Sequence, residues 1–120
     1  EQEISYRGLT WKLHHDPTYY QEEYAPSRQF RYIRKRSLVI HGACDLNVPV
    51  GDAFQIEKEL GAGGNRVPHL AIIPNADHSF QVVPENEELR LRERISLESF
   101  RRPYSELYFR ILIDFLKHFL

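Results

Sequence analysis

Apolar residues in this 120-residue chain are concentrated in two short runs and one long periodic segment. The first run, residues 38–40 (LVI), lies between Ser37 and Gly42, and the second covers residues 69–73 (HLAII). Short apolar runs with β-prone residues are typical of strands buried on both faces of a parallel sheet. The pattern therefore predicts two parallel strands.

The segment between the two runs predicts a helix. Asp52 is expected to cap its first turn, with Gln55 at the capping-box position. The apolar stripe of this helix consists of Ala53, Ile56 and Leu60. The glycine-rich residues 61–64 are expected to end the helix; no Lys-Ser or Lys-Thr pair follows them, so they are not a phosphate loop. Strand, helix and strand together predict a right-handed βαβ unit.

A long amphipathic helix is predicted after Pro103, a residue suited to a first helical turn. Its apolar positions are Tyr104, Leu107, Tyr108, Ile111, Leu112, Phe115, Leu116 and Phe119, broadened by Phe109 and Ile113. Residues 84–102 carry many charges of both signs without a clean period, and we interpret them as an insertion that includes at most a short helix. Residues 1–36 show no sustained period and are interpreted as an irregular lead-in or cap-related segment, which leaves 37–120 as the α/β part.

Composition and charge narrow the class of protein. The net charge is -1, and no apolar run approaches the roughly eighteen residues that a membrane span needs. The amino terminus, EQEISYRG, does not resemble a signal peptide, so we expect a cytoplasmic protein without a membrane partner. Cys44 is the only cysteine, which excludes an internal disulfide and a multi-cysteine zinc site.

Two polar residues stand just after the predicted strands. Asp45 follows the first strand and His78 follows the second. Because ligand-facing residues of parallel sheets lie past the carboxyl ends of the strands, the topology places Asp45 and His78 at the same rim, close enough to meet.

These residues carry a resemblance to a known family. Residues 37–50 (SLVIHGACDLNVPV), a helix, a strand, residues 76–80 (ADHSF) and a terminal amphipathic helix resemble the carboxyl-terminal part of the α/β-hydrolases. The prolyl oligopeptidase, acyl-peptidase and dienelactone hydrolase group is the most similar. The resemblance covers residues 37–82 and, by pattern, the last helix. It implies the carboxyl-terminal portion of a doubly wound sheet, with Asp45 as the triad acid and His78 as the triad base.

The family's nucleophile motif, Gly-x-Ser-x-Gly, does not occur in the 120 residues. The resemblance therefore implies the carboxyl-terminal part of a serine hydrolase of esters, amides or peptides, with the serine and the oxyanion hole in an amino-terminal half. Its expected partners are that half or a second copy of the chain, and a small ester or peptide substrate. The alternative is a hydrolase-derived module that serves protein association without catalysis.

Nearby residues are weaker candidates for chemistry. Ser79 neighbours His78, but adjacent side chains seldom point at one another. The carboxylate of Asp45 disfavours the thiolate of Cys44, which we interpret as a small buried residue at a strand end. Asp77 is interpreted as a turn residue, and His41 as packing at the strand end.

Two further patterns predict no site. His14, His15 and Asp16 lack a fourth ligand at a recognisable spacing, so we expect no metal and no cofactor. A basic segment at residues 28–36 contains Phe30 and Tyr32, but the net negative charge favours a solvated linker over a nucleic-acid surface.

Overall fold

A computed structural model of the chain describes residues 2–6, 8–13, 25–65, 68–94 and 96–119. The regular elements within these ranges are β1 (Gln2–Tyr6), β2 (Leu9–Leu13), α1 (Pro26–Gln29), β3 (Ser37–Gly42), α2 (Val50–Ala62), β4 (Pro68–Ile73), α3 (Glu87–Glu93) and α4 (Glu106–Phe119). Short 3₁₀ segments cover Phe30–Tyr32 and Leu97–Arg101. None of the described helices is long and apolar enough to cross a membrane.

Strands β3 and β4 form the parallel pair that the two apolar runs predict. Their register runs from Ser37 opposite Pro68 to Gly42 opposite Ile73, with α2 as the connection. The mixed α/β architecture with a parallel sheet is therefore confirmed. The doubly wound arrangement stays a prediction, because the described residues give this sheet two strands.

The buried apolar core lies between α2 and the ends of these strands. Leu60 of α2 and Ile73 of β4 are the largest fully buried side chains, and Ala53 of α2 is also buried. Leu46, Ala76 and Val83 from the rim loops are the other buried apolar residues in the part of the chain that the structure describes. Burial of a leucine or isoleucine side chain stabilises a fold by about 1.5–3 kcal/mol, so the core anchors the loops as well as the helix.

Helix α2 begins two residues before the predicted cap. Pro49, with ψ of 140°, precedes Val50, the first helical residue, and Asp52 lies inside the first turn. The prediction of Asp52 as the cap was therefore wrong, because Pro49 already directs the chain into the helix. Asp52 instead places a negative charge in the first turn, where the helix dipole favours it. The predicted end is confirmed, since the helix stops at Ala62.

An antiparallel hairpin of β1 and β2 occupies part of the segment that we interpreted as irregular. The register pairs Gln2 with Leu13 and Tyr6 with Leu9, and Gly8 in the turn adopts a φ of +77° that favours glycine. The prediction for residues 1–36 was wrong in this part. Residues 2–13 (QEISYRGLTWKL) alternate apolar and polar side chains on both sides of the turn, a period-two signal that the sequence interpretation missed.

The charged segment and the terminal helix also refine their predictions. A short helix, α3, is present within residues 84–102, and the Asn86 side chain caps it by accepting a hydrogen bond from Leu89 N at 2.9 Å. Helix α4 begins at Glu106 and not directly after Pro103. The reason is that Val82 N donates to Pro103 O at 2.8 Å and Ser105 N donates to Phe80 O at 2.8 Å, and this pairing holds the residues before α4 extended.

Candidate functional site

Two loops leave the carboxyl ends of β3 and β4 and lie against each other. Ala43 N donates to Ile73 O and Cys44 N donates to Ala76 O, both at 2.9 Å. Gly42 is buried where the loops meet, and a Cβ at this position would overlap the carbonyl oxygens of Ala76 and Asp77. The absence of a side chain at Gly42 therefore allows the two loops to approach closely.

Asp45 is the buried acid of the first loop. Its Oδ1 accepts hydrogen bonds from Asn47 N at 2.7 Å and from Val48 N at 2.9 Å. Two backbone donors on one oxygen fix the carboxylate and leave its second oxygen, Oδ2, facing elsewhere.

His78 contacts that second oxygen. Its Nδ1 lies 2.8 Å from Asp45 Oδ2, and because an ionised carboxylate only accepts, Nδ1 is the donor. The Asp45 side chain is 4% exposed, whereas the His78 side chain is 54% exposed. The expected hydrogen bond is thus present, and it joins a buried acid to an imidazole that reaches the surface.

The loop that carries His78 is shaped by Asp77. Its Oδ1 accepts hydrogen bonds from Ser79 N at 2.9 Å and from Gln81 N at 3.0 Å, as a turn residue does. Asn75 and Phe80, on either side, adopt φ angles of 54° and 62°. Phe80 stacks on Tyr108 of α4 with ring centroids 4.2 Å apart, so the terminal helix supports this loop.

His41 takes part in the site more closely than its sequence position suggested. Its Nε2 donates to Val48 O at 3.1 Å and lies 3.6 Å from Asp45 Oδ2. The ring therefore braces the loop that presents Asp45. The sequence separation of four residues between His41 and Asp45 does not predict this contact, because the two residues lie on either side of the boundary between a strand and a loop.

A pocket of about 170 Å³ lies beside His78. Its lining comes from both rim loops and from residues 90–102, which the sequence interpretation assigned to no site. The residues that line it are Cys44, Leu46, Asn47, Asp77, His78, Ser79, Gln81, Val83, Arg90, Arg94, Ser99, Phe100 and Arg102. The charged insertion thus contributes one wall of this pocket.

The remaining candidates do not join this site. His14, His15 and Asp16 lie outside the described residues, and the described part of the chain contains no cluster of three or more metal-ligating side chains. In the basic segment, Arg31 forms an ion pair with Glu59 at 2.7 Å. The hydrogen bond from Arg31 to Glu59, together with the attraction between their charges, raises the pKa of the arginine.

Comparison with known proteins identifies the family. The prolyl oligopeptidase family model matches residues 2–96, which include the hairpin, the βαβ unit, both rim loops and α3. No curated protein and no solved structure matches the chain. Because the family match covers most of the 120 residues and includes both Asp45 and His78, the chain belongs to the prolyl oligopeptidase family.

Proposed function

We propose that this chain supplies the acid and the base of a Ser-His-Asp triad in a hydrolase of ester, amide or peptide bonds. The observation that carries the proposal is the 2.8 Å hydrogen bond between Asp45 Oδ2 and His78 Nδ1, in a chain of the prolyl oligopeptidase family. A buried carboxylate that fixes one nitrogen of a surface histidine is the geometry that such a triad requires.

The proposed roles follow from that geometry. With Nδ1 donating to Asp45, the other ring nitrogen of His78, Nε2, is the one that accepts a proton from a serine hydroxyl. The serine oxygen then attacks the carbonyl carbon, and the protonated imidazole is stabilised by the Asp45 carboxylate. In the next step Nε2 returns its proton to the leaving group. Asn47 and Val48 contribute by holding Asp45 through their backbone N–H groups.

The serine and the oxyanion donors are proposed to come from residues outside these 120. The chain contains no Gly-x-Ser-x-Gly, the motif that presents the nucleophile after a strand in α/β-hydrolases. Ser79 directly follows His78, and its backbone N–H donates to Asp77 Oδ1. Two observations support a serine from outside the chain: the motif is absent from the sequence, and the acid Asp45 and the base His78 are already hydrogen-bonded to each other.

The test is a hydrolysis assay of this chain together with the segment encoded upstream of Glu1. With a p-nitrophenyl ester as substrate, His78→Ala should lower kcat by about 10³-fold or more, because the serine loses its base. Lys58→Ala on the exposed side of α2 is the control and should leave kcat unchanged. Retention of kcat within about threefold in His78→Ala would overturn the proposed role.

A second candidate, protein association, is favoured by the apolar surface of α4. Its exposed large apolar side chains are Leu107, Phe109, Ile113 and Leu116. Phe109, Ile113 and Leu116 are four and three residues apart and so lie on one face of the helix. Exposed apolar patches mark interaction surfaces, and the proposed occupant is the nucleophile-bearing half or, without it, a second copy of the chain. Sedimentation of the purified chain at low micromolar concentration tests this: we expect a dimer, and a compact monomer that unfolds cooperatively would contradict it.

A further inference from the structure

Two imidazole rings lie beside one oxygen of the Asp45 carboxylate. Asp45 Oδ2 is 2.8 Å from His78 Nδ1 and 3.6 Å from His41 Nε2. The two rings differ in exposure, because 54% of the His78 side chain is accessible to solvent but only 11% of the His41 side chain. The proposed base is thus the exposed ring, and a second, largely buried ring lies beside the same carboxylate.

The Nε2 atom of His41 carries a hydrogen. This nitrogen lies 3.1 Å from Val48 O, and a carbonyl oxygen can only accept, so Nε2 is the donor. The same nitrogen lies 3.6 Å from Asp45 Oδ2. That distance is too long for a hydrogen bond, but it allows an electrostatic attraction between the N–H group and the carboxylate. The N–H group of His41 therefore acts on both the loop backbone and the acid.

Val48 connects the two side chains. Its carbonyl oxygen accepts from His41 Nε2, and its N–H donates to Asp45 Oδ1 at 2.9 Å. His41 belongs to β3, where it is paired with Ile72 of β4, so the sheet fixes its backbone. A movement of the loop that turned Oδ2 away from His78 would also move Val48 and break its hydrogen bond with His41. The regular sheet thus holds the carboxylate through His41 and Val48.

The His41 ring also borders a cavity beside the acid and the base. This cavity has a volume of about 200 Å³, and His41, Asp45 and His78 are among the residues that line it. The Asp45 side chain is nevertheless only 4% exposed. Removal of the His41 ring would enlarge the cavity and admit water to the carboxylate. Water would compete for the oxygen and weaken the hydrogen bond between Asp45 and His78.

We propose that His41 is a positioning residue of the proposed triad. Through Val48 it holds the Asp45 carboxylate with Oδ2 toward His78, and its ring limits the access of water to that oxygen. The inference rests on the proposed function, because its effect on catalysis requires His78 to act as the base. His41 acts through Asp45 and is not itself a catalytic residue.

Two substitutions separate the hydrogen bond of His41 from the packing of its ring. His41→Gln keeps an N–H donor near the position of Nε2, whereas His41→Phe keeps an aromatic ring without a donor. In the hydrolysis assay with the upstream segment, His41→Phe should lower kcat by about 30-fold and leave KM within about twofold, because a displacement of about 1 Å costs up to about 10²-fold. His41→Gln should retain kcat within about threefold. An unchanged kcat in His41→Phe, or equal losses in the two variants, would overturn the proposal.

A second readout uses the chain alone and separates positioning from a purely structural role. The nitrogen NMR chemical shifts of a histidine ring report which nitrogen carries the hydrogen. His78 should carry its hydrogen on Nδ1 in the unsubstituted chain and in His41→Gln, and His41→Phe should shift part of the population to Nε2. Leu60→Val is the control, since it alters the buried core near the end of α2 and should lower stability without changing the His78 tautomer. An equal change of tautomer in Leu60→Val would refute the positioning role.

The same spectra of the unsubstituted chain test the proposal even if His41→Phe does not fold. His41 should carry a hydrogen on Nε2, as its contact with Val48 O requires. A hydrogen on Nδ1 alone would overturn the proposal, because Nε2 then has nothing to donate.

The positioning role and the proposed function fail in different ways. If His78→Ala abolishes hydrolysis but His41→Phe retains kcat, the positioning role is refuted and the proposed function stands. If His41→Phe shifts the His78 tautomer but His78→Ala retains kcat, the proposed function is refuted, and the positioning of Asp45 by His41 stands.

Discussion

The two loops at the rim of the β3/β4 sheet are each organised by one aspartate, yet only one of these residues contacts the histidine. Asp45 Oδ1 accepts from Asn47 N and Val48 N, and Asp77 Oδ1 accepts from Ser79 N and Gln81 N. Asp45 is buried and uses its second oxygen to bind His78, whereas Asp77 is only half-buried. The same hydrogen bonds to backbone N–H groups thus shape the loop at Asp77 and, at Asp45, also position a carboxylate for His78.

The difference shows what converts a turn residue into a candidate acid. Local hydrogen bonds alone do not distinguish Asp45 from Asp77, because both side chains fix two backbone N–H groups of their own loops. Asp45 differs from Asp77 in its burial and in the hydrogen bond that its second oxygen accepts from His78, and both features depend on the contact between the loops. That contact requires Gly42. The proposed site is therefore built by the approach of two loops and not by either loop alone.

The largest expected difference between the two aspartates is in catalysis. In Asp45→Asn the amide would present an N–H to His78 Nδ1 and favour the wrong tautomer, so kcat of the protein assayed with its nucleophile-bearing segment should fall by about 10⁴-fold. Asp77→Asn keeps an oxygen that accepts from Ser79 N and Gln81 N, and kcat should stay within about threefold. Steady-state kinetics with the same ester compares them, and equal losses in the two variants would show that Asp45 has no special role.

The contact between the loops is tested by a glycine substitution. Gly42→Ala places a methyl group against two backbone carbonyl oxygens. Backbone atoms cannot move aside as the end of a flexible side chain can, so we expect a loss of about 3 kcal/mol in the free energy of unfolding. Gly51→Ala is the control, since its Cβ meets open space in the first turn of α2; it should stabilise the fold by about 0.5 kcal/mol. Urea denaturation measures both, and a similar small effect for both variants would refute the tight approach of the loops.

Removal of the two carboxylates should lower the free energy of unfolding by different amounts. Asp45→Ala leaves two backbone donors and His78 without their acceptor in a buried position, and should cost about 2–3 kcal/mol. Asp77→Ala leaves Ser79 N and Gln81 N without their acceptor in a more exposed loop, where water replaces the carboxylate, and should cost about 1 kcal/mol. The same urea experiment provides the comparison. A greater loss in Asp77→Ala would mean that burial does not determine the difference between the two loops.

The smallest expected effect concerns the support that α4 gives to the His78 loop. Tyr108→Leu removes the stacked contact with Phe80 and should cost about 1 kcal/mol, with faster hydrogen exchange at the Gln81 amide. The Asp45 loop should keep its exchange rates at Asn47 and Val48. Tyr32→Leu replaces an exposed tyrosine away from the site and is expected to change neither the stability nor the exchange rates of the two loops. Exchange that rises equally in both loops would show that they open as one unit.

The sequence allowed the relation between Asp45 and His78 to be predicted, because it follows from topology. Two short apolar runs with a helix between them predict parallel strands, and parallel strands end at one rim. The helix predicted between residues 52 and 60 was correct in type but began at Val50, since Pro49 set the chain direction before Asp52. Local sequence patterns predict the type of an element more reliably than the residue at which it begins.

The pocket wall could not be predicted in the same way. Arg90 and Arg94 lie in a charged segment without a clean period, and their position beside His78 depends on contacts between residues that are distant in the sequence. The pairing of Gln81 with Tyr104 and of Val82 N with Pro103 O brings the end of that segment back to the rim. The β1/β2 hairpin was missed for a different reason, because its alternation was present in the sequence but was not recognised.

The central claim, that Asp45 and His78 serve a serine supplied from outside these 120 residues, is tested most directly by labelling with a fluorophosphonate. The chain alone should remain unlabelled, because it contains no Gly-x-Ser-x-Gly and because the proposal assigns the oxyanion donors to the segment that carries the serine. The chain together with the nucleophile-bearing segment should be labelled at one serine of a Gly-x-Ser-x-Gly in that segment, and His78→Ala should abolish the label. Stoichiometric labelling of Ser79 in the chain alone, lost in Ser79→Ala, would contradict the account.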